Sequence, residues 1–383
     1  MTTAHRLRGD ELITSFSPTY AEARDKFHRA AQARGLAVTR YVHPTAIGAE
    51  GEELSADVAL LGDPHARSLL VVLSGTHGVE GFCGSGCQVA LLRDDTVLAA
   101  IERGGVAVLL YHAVNPYGFS HIRRTNEDNV DLNRNFRDFA KPQPPSAGYA
   151  EVHSIVVPPT WPPDAANTAA LLACVAKHGE SRLQAMVSSG QCDFPDGLFY
   201  GGRAPAWSNT TLRGALREFG ANRKRLGWID IHTGLGPWGY GEKIHSGPDD
   251  EAMIARARAW FGDDVTSFYD GSSTSAALTG VAFHAALDAC PHAEYTGIAL
   301  EYGTRPLAET LQALRADQWL ANHPDAGEPL RTAIKCQMRH AFHDDREAWQ
   351  ALAYGQARVA VLQALRGLAA TPALDASSTR LPL

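Results

Sequence analysis

Four short stretches hold the residues that could do chemistry: Thr76-His77-Gly78-Val79-Glu80-Gly81, Asp131-Leu132-Asn133-Arg134-Asn135, Asp230-Ile231-His232-Thr233 and Leu300-Glu301-Tyr302-Gly303. His77 and Glu80 sit on a turn, at a spacing that lets an imidazole and a carboxylate converge on one ion. His232 supplies a third ligand. Two imidazoles and a carboxylate leave one position of a zinc ion open, as a catalytic site needs and a structural site does not. Asp230, two places earlier on the same strand, can orient His232 from outside or join a second metal. Glu301 closes an apolar strand, where an isolated charge is costly, so it reads as a base that takes a proton from water. Arg134, between two asparagines, offers a bidentate fork to a carboxylate. Arg123 and Arg124 can offset charge that develops on an oxygen. Each residue alone has an ordinary use, as a core histidine or a salt-bridged arginine. Together they spell hydrolysis of a carboxylate-bearing substrate.

The elements around these stretches place them consistently. Leu69–Leu73 and Val106–Tyr111 are continuous apolar runs, as expected of strands covered on both faces. Gly227–Ile231 and Gly297–Leu300 read as two more buried strands. Leu36–Val42 and Leu54–Leu61 alternate. Helices are expected over about 16–34, 166–178, 210–223 and 250–261, and over most of the chain beyond 327, with an interruption near His343-Asp344-Asp345. The first, third and fourth motifs then lie at the C-terminal ends of buried strands, where open α/β sheets bind ligands. Residues 141–163 carry seven prolines and read as a long ordered loop, and the tail from Thr371 reads as disordered. Gly234-Leu235-Gly236-Pro237-Trp238-Gly239 has the spacing of a dinucleotide fingerprint, but Pro237 and Trp238 do not open a helix, so it reads as a loop over the metal. No Gly-x-Ser-x-Gly occurs, which argues against a serine hydrolase of the α/β type.

Composition bounds the rest. The 383 residues are 45% hydrophobic and 20% charged, with a formal charge of −7, an ordinary globular mixture without the basic footprint of nucleic-acid binding. No signal peptide and no membrane span is read, so a cytoplasmic location is expected, with the six cysteines as reduced thiols. Cys83 and Cys87, four apart, read as helix neighbours packing a core.

With its Gly-Thr-His-Gly-Val-Glu-Gly opening at residues 75–81, the chain resembles the zinc carboxypeptidase superfamily, the carboxypeptidase A-like fold that also includes aspartoacylase and succinylglutamate desuccinylase. Within it, the bacterial carboxypeptidase-like branch is the nearer likeness. The resemblance implies a single-domain α/β/α sandwich over residues 1–370 with a mixed, mostly parallel sheet. It implies one Zn2+ per chain, held by His77, Glu80 and His232. Asn133 and Arg134 match the pair that holds the substrate's carboxylate. Asn115-Pro116-Tyr117-Gly118 matches the superfamily's Asn-Pro-x-Gly turn. Arg124 matches the oxyanion-stabilising arginine, with Arg123 as the alternative, and Glu301 matches the general base and acid. Tyr269 and Tyr240 are the candidates for a substrate-capping tyrosine. The implied substrate is a small peptide, by metallocarboxypeptidase action, or an N-acyl amino acid, by deacylase action. A non-catalytic metal-binding role is the third reading.

Overall fold

A computed structural model describes residues 7–143, 146 and 148–369; the tail from Thr371 lies outside the described residues. Seven strands make one sheet: β1 (Val38–Ile47), β2 (Glu53–Leu61), β3 (Ser68–Leu73), β4 (Ala107–His112), β5 (Arg225–Trp238), β6 (Gly241–His245) and β7 (Glu294–Gly303). Their order is β1-β2-β4-β3-β5-β7-β6. The four central strands β4, β3, β5 and β7 are parallel, and the outer pairings are antiparallel.

Period-two alternation divides each central strand between two cores. Leu70 and Val72 face one side with Ile229, Ile231, Ile298 and Leu300. Leu69, Val71 and Leu73 face the other with Trp228. The first side is covered by helices Tyr20–Ala33, Gly81–Arg93, Asp95–Gly104, Glu251–Phe261 and Glu347–Ala369. The second is covered by Trp207–Gly220 and Phe283–Ala289. The result is an α/β/α sandwich with a mixed sheet. Cys83 and Cys87 are buried in the first core. No described helix is long and apolar enough to cross a membrane.

The strand order reverses at β3, which has β4 on one side and β5 on the other. Loops leaving such a switch point splay apart and open a crevice. The His77–Glu80 turn is the loop that follows β3.

Three expectations need correction. The proline-rich stretch is not simply a loop: it contains the helix Tyr149–Val156, and its described prolines lie outside that helix's ends. The glycine-rich hexapeptide is not a loop either. β5 runs on through it to Trp238, shifting register against β7 after Thr233. Finally, six helices appear among the described residues where none was expected: Gly9–Ile13, Asp95–Gly104, Pro116–Ser120, Glu180–Ser188, Phe283–Ala289 and Leu307–Asn322.

Candidate metal centre and cavity

Register assembles the third and fourth motifs. His232 of β5 is the direct neighbour of Glu301 of β7, and Asp230 of β5 lies opposite Ala299. Side chains in register share a face, so Asp230, His232, Ala299 and Glu301 all project to the side of Trp228. The intervening Ile231, Leu300 and Tyr302 anchor the opposite core.

The first motif arrives on a 3-10 turn, Gly78–Glu80, entered by His77. That turn lies close against the helix Pro116–Ser120. A Cβ on Gly78 would come within 2.0 Å of the Gly118 carbonyl carbon. Asn115 caps this short helix through the Gly118 N–H at 2.8 Å, and its amide donates to the Arg124 carbonyl at 3.2 Å. Gly78 and Val79 N–H donate to the Arg124 and Arg123 carbonyls. The Asn-Pro-Tyr-Gly turn therefore ties the His77–Glu80 turn to the arginine pair.

Glu80 sits between the two imidazoles. Its Oε1 is 2.8 Å from His77 Nδ1 and its Oε2 is 2.9 Å from His232 Nδ1. The far nitrogens are held by other buried carboxylates. Asp230 Oδ2 is 2.9 Å from His232 Nε2, and Asp131 Oδ1 is 3.3 Å from His77 Nε2. Thr76 donates to Asp230 at 2.8 Å. One atom from each of His77, Glu80 and His232 lies within 4.8 Å of the others, all three residues being buried. This donor set fits a zinc ion: two imidazoles and a carboxylate, each imidazole oriented by an outer carboxylate. Burial alone would raise the Glu80 pKa, but the two histidines outweigh it and hold Glu80 below the usual carboxylate range. Burial likewise opposes a charged His232, yet Asp230 and Glu80 raise its pKa well above the ordinary imidazole value.

Arg124 lies beside the ligands. Its Nε donates to Asp131 at 2.8 Å, Nη1 to Glu80 at 3.3 Å, and Nη2 is 2.7 Å from His77 Nε2. Burial works against its charge, but Asp131 and Glu80 raise its pKa. Arg134 is also buried, and its guanidinium donates to the backbone carbonyls of Ser188 and Asn133. Among the described residues no carboxylate lies within ion-pair distance of it. Burial draws its pKa down to about 10, against the pull of Asp131. Phe199 has its ring centroid 4.9 Å from the Arg124 guanidinium and 5.6 Å from that of Arg134. Such contacts favour cations in a fixed place. Phe199 has φ +52°, a conformation few non-glycine residues adopt, so the backbone is strained where it serves both arginines.

Glu301 Oε1 accepts the Leu235 N–H at 3.1 Å. Burial and the nearby negative charge of Glu80 push its pKa up to about 8. His77, Glu80, Arg124, Asn133, Arg134, His232 and Glu301 all border one cavity of about 420 Å3.

The other candidates lie elsewhere. Arg123 is not on the cavity: its Nε pairs with Asp317 at 3.1 Å and its Nη2 with Asn129 at 3.0 Å. Consecutive side chains diverge, and only Arg124 turns inward. Neither Tyr269 nor Tyr240 borders the cavity. The Tyr269 hydroxyl donates to the Gly247 carbonyl, and Phe268 beside it is the residue on the cavity wall. Asp131 has a part that sequence reasoning did not assign, though it stands two places before Asn133 in a motif already singled out. Phe199 gave only the weaker signal of an aromatic within a glycine-rich stretch.

The family described as "Protein of unknown function (DUF2817)" matches residues 16–356. No curated protein matches. Among solved structures, thrombin activatable fibrinolysis inhibitor (TAFI) is similar over 96% of this chain and 78% of its own, at 12% identity and a TM-score of 0.50. Carboxypeptidase A from Helicoverpa armigera covers 86% of this chain and 75% of its own, at 12% identity and a TM-score of 0.45. A metallo-carboxypeptidase from Pseudomonas aeruginosa covers 89% and 69%, at 15% identity and 0.38. The chain belongs to the DUF2817 family and has a carboxypeptidase A-like fold.

Proposed function

We propose that the protein is a zinc-dependent hydrolase that cleaves an amide bond next to a free carboxylate. One observation carries this reading. A three-ligand metal cluster, a buried carboxylate in register with one ligand, and a buried arginine without an ion-pair partner among the described residues border a single cavity. A buried cation of that kind favours an anionic ligand, and the guanidinium fork matches a carboxylate.

His77, Glu80 and His232 hold the ion, which supplies Lewis acidity to the site. Arg134 and Asn133 bind the substrate's carboxylate and so fix which amide is presented. Arg124 stabilises negative charge developing on the amide oxygen. Glu301 takes a proton from water as the oxygen attacks, then gives it to the departing amine. Its Oε1 is held by Leu235, which leaves Oε2 for the proton. The ionised form is the one that accepts a proton, and neutralising Glu80 favours it, because the Glu80 charge is one cause of the raised pKa.

The test pairs two measurements on Glu301→Gln. Turnover on a panel of dipeptides and N-acyl amino acids should fall by a factor of about 100 to 1000, while zinc content stays at the wild-type value. Unchanged hydrolysis by this variant overturns the mechanism. The deacylase reading stands beside the peptidase one because the helices Ala165–His178, Glu180–Ser188 and Leu307–Asn322 line the cavity with leucine and valine side chains.

A further inference from the structure

The cavity has two unlike walls. One is made by strands and a loop: Ile244 of β6 lies in register beside Ala299 of β7, and Phe268, Leu278 and Val281 follow on the connecting chain. This wall is fixed to the carboxylate-binding pair, because Ala282 N–H donates to Asn133 Oδ1 at 2.8 Å.

The other wall is helical. Leu171 and Val175 come from Ala165–His178, Leu183 and Val187 from Glu180–Ser188, and Leu311 and Leu314 from Leu307–Asn322. It adjoins Glu301 through the Thr310 hydroxyl, which donates to the carbonyl of Gly234, next to the Leu235 that binds Glu301. Arg315 also borders it, with its guanidinium committed to the carbonyls of Ile155 and Val156 and to the side chains of Asn167 and Gln312. Leu172 and Leu307 continue the apolar surface to the lip, where they are 66% and 46% exposed.

A peptide on the acyl side would bring an N–H and a C=O with every residue, and burying them unpaired is unfavourable. Backbone groups within helices bond to one another, so this wall can pair them only through the side chains of Glu180, Gln184, Ser188 and Gln312, of which Ser188 and Gln312 are already bonded to the Gln184 carbonyl and to Arg315. Hydrocarbon needs no such partners. Resting on the reading of the site as an amide hydrolase, we propose that the substrate is an N-acyl amino acid whose extended apolar acyl chain lies along this helical wall. The C–N bond breaks and the water oxygen joins the acyl carbon. The amine leaves with a proton, so a fatty carboxylate and a free amino acid are the products.

The experiment compares N-acetyl-, N-butanoyl-, N-octanoyl- and N-dodecanoyl-leucine with Gly-Gly-Leu on the zinc-loaded protein. The expected kcat/KM rises about fourfold for each methylene until the chain passes the lip. Hydrolysis that is level across the series, or fastest on the peptide, overturns the acyl-chain proposal and leaves the hydrolase reading intact. Hydrolysis of none of them overturns the hydrolase reading. Calorimetry with the uncleavable N-octylleucine and N-butylleucine then decides the rest. Tighter binding of the octyl compound, lost in Arg134→Gln, supports the apolar wall, and equal binding overturns it. Leu172→Ser with Leu307→Ser, both at the exposed lip, should flatten the slope of rate against chain length, whereas an unchanged slope overturns the placement.

Discussion

Adjacent residues at this site do unrelated work, and the difference is set by where each side chain is aimed. Arg124 lies against Glu80 and Asp131, while Arg123 joins Asp317, itself bound by Lys335. Two arginines in a row cannot be told apart by composition, so the sequence left both open. His77, His232 and Glu301 stand out in the sequence because each follows a predicted apolar strand, and Glu80 because it lies three places after His77 on the same turn. A clear case of residue chemistry away from the cavity is Asp57 of β2. It is fully buried and bound by Arg24 Nε at 2.7 Å, His28 at 2.8 Å and the Ser55 hydroxyl at 2.8 Å. Burial would raise its pKa, yet these partners lower it to about 2. A group depressed in the folded state stabilises at pH values above its unfolded pKa, near 4, and loses that contribution as pH falls through its folded pKa. The wild type should therefore lose stability between about pH 4 and pH 2 from this group. Asp57→Asn should lower stability at neutral pH by about 3 kcal/mol and weaken that acid dependence, as chemical denaturation at several pH values would show.

Elements were legible where their pattern was simple. Leu69–Leu73 could only be a strand covered on both faces, and it is fully buried. The helix Leu307–Asn322 was missed because Arg315, Asp317 and Gln318 are buried within it, which erases the usual polar face. The run of β5 through Trp238 was hidden by Gly234, Gly236 and Pro237, residues that ordinarily mark turns. Register is likewise not written in any one strand, so the pairing of His232 with Glu301 had to come from the structure. A tight element contact at the site is that of the 3-10 turn with the Pro116–Ser120 helix. Gly78→Ala puts a methyl group into the Gly118 backbone and must push the turn away. The cost should be about 1 to 3 kcal/mol. Zinc per chain should fall in the same variant, because the displaced turn carries Glu80. Metal analysis alongside thermal unfolding would check both, and full zinc occupancy would show that the turn has room to move.

At the scale of the molecule, the strands bearing the site are backed by the helix Glu347–Ala369. The Tyr302 hydroxyl donates to the Ala353 carbonyl at 2.7 Å, Trp349 Nε1 to the Gly303 carbonyl at 2.9 Å, and the Ser68 hydroxyl to the Leu368 carbonyl at 3.2 Å. Asp94, which caps the helix Asp95–Gly104, also accepts from Tyr354 at 2.7 Å and Arg358 at 2.6 Å. Trp349→Ala should cost about 3 to 5 kcal/mol, read by denaturant unfolding. The α/β/α sandwich was what the family resemblance implied, whereas this clasp joins residues too far apart in the chain for any local pattern to reveal.

That backing has a consequence for how a cell makes the protein. Synthesis runs from the N-terminus, and domains fold as units. His77, Glu80, Arg124, Arg134, His232 and Glu301 have all been polymerised before the first residue of Glu347–Ala369 is added. Until then the apolar face of β3, β5 and β7 opposite the site lacks one of the five helices that cover it. The growing chain thus carries every residue of the proposed site before the sheet beneath them has its full backing.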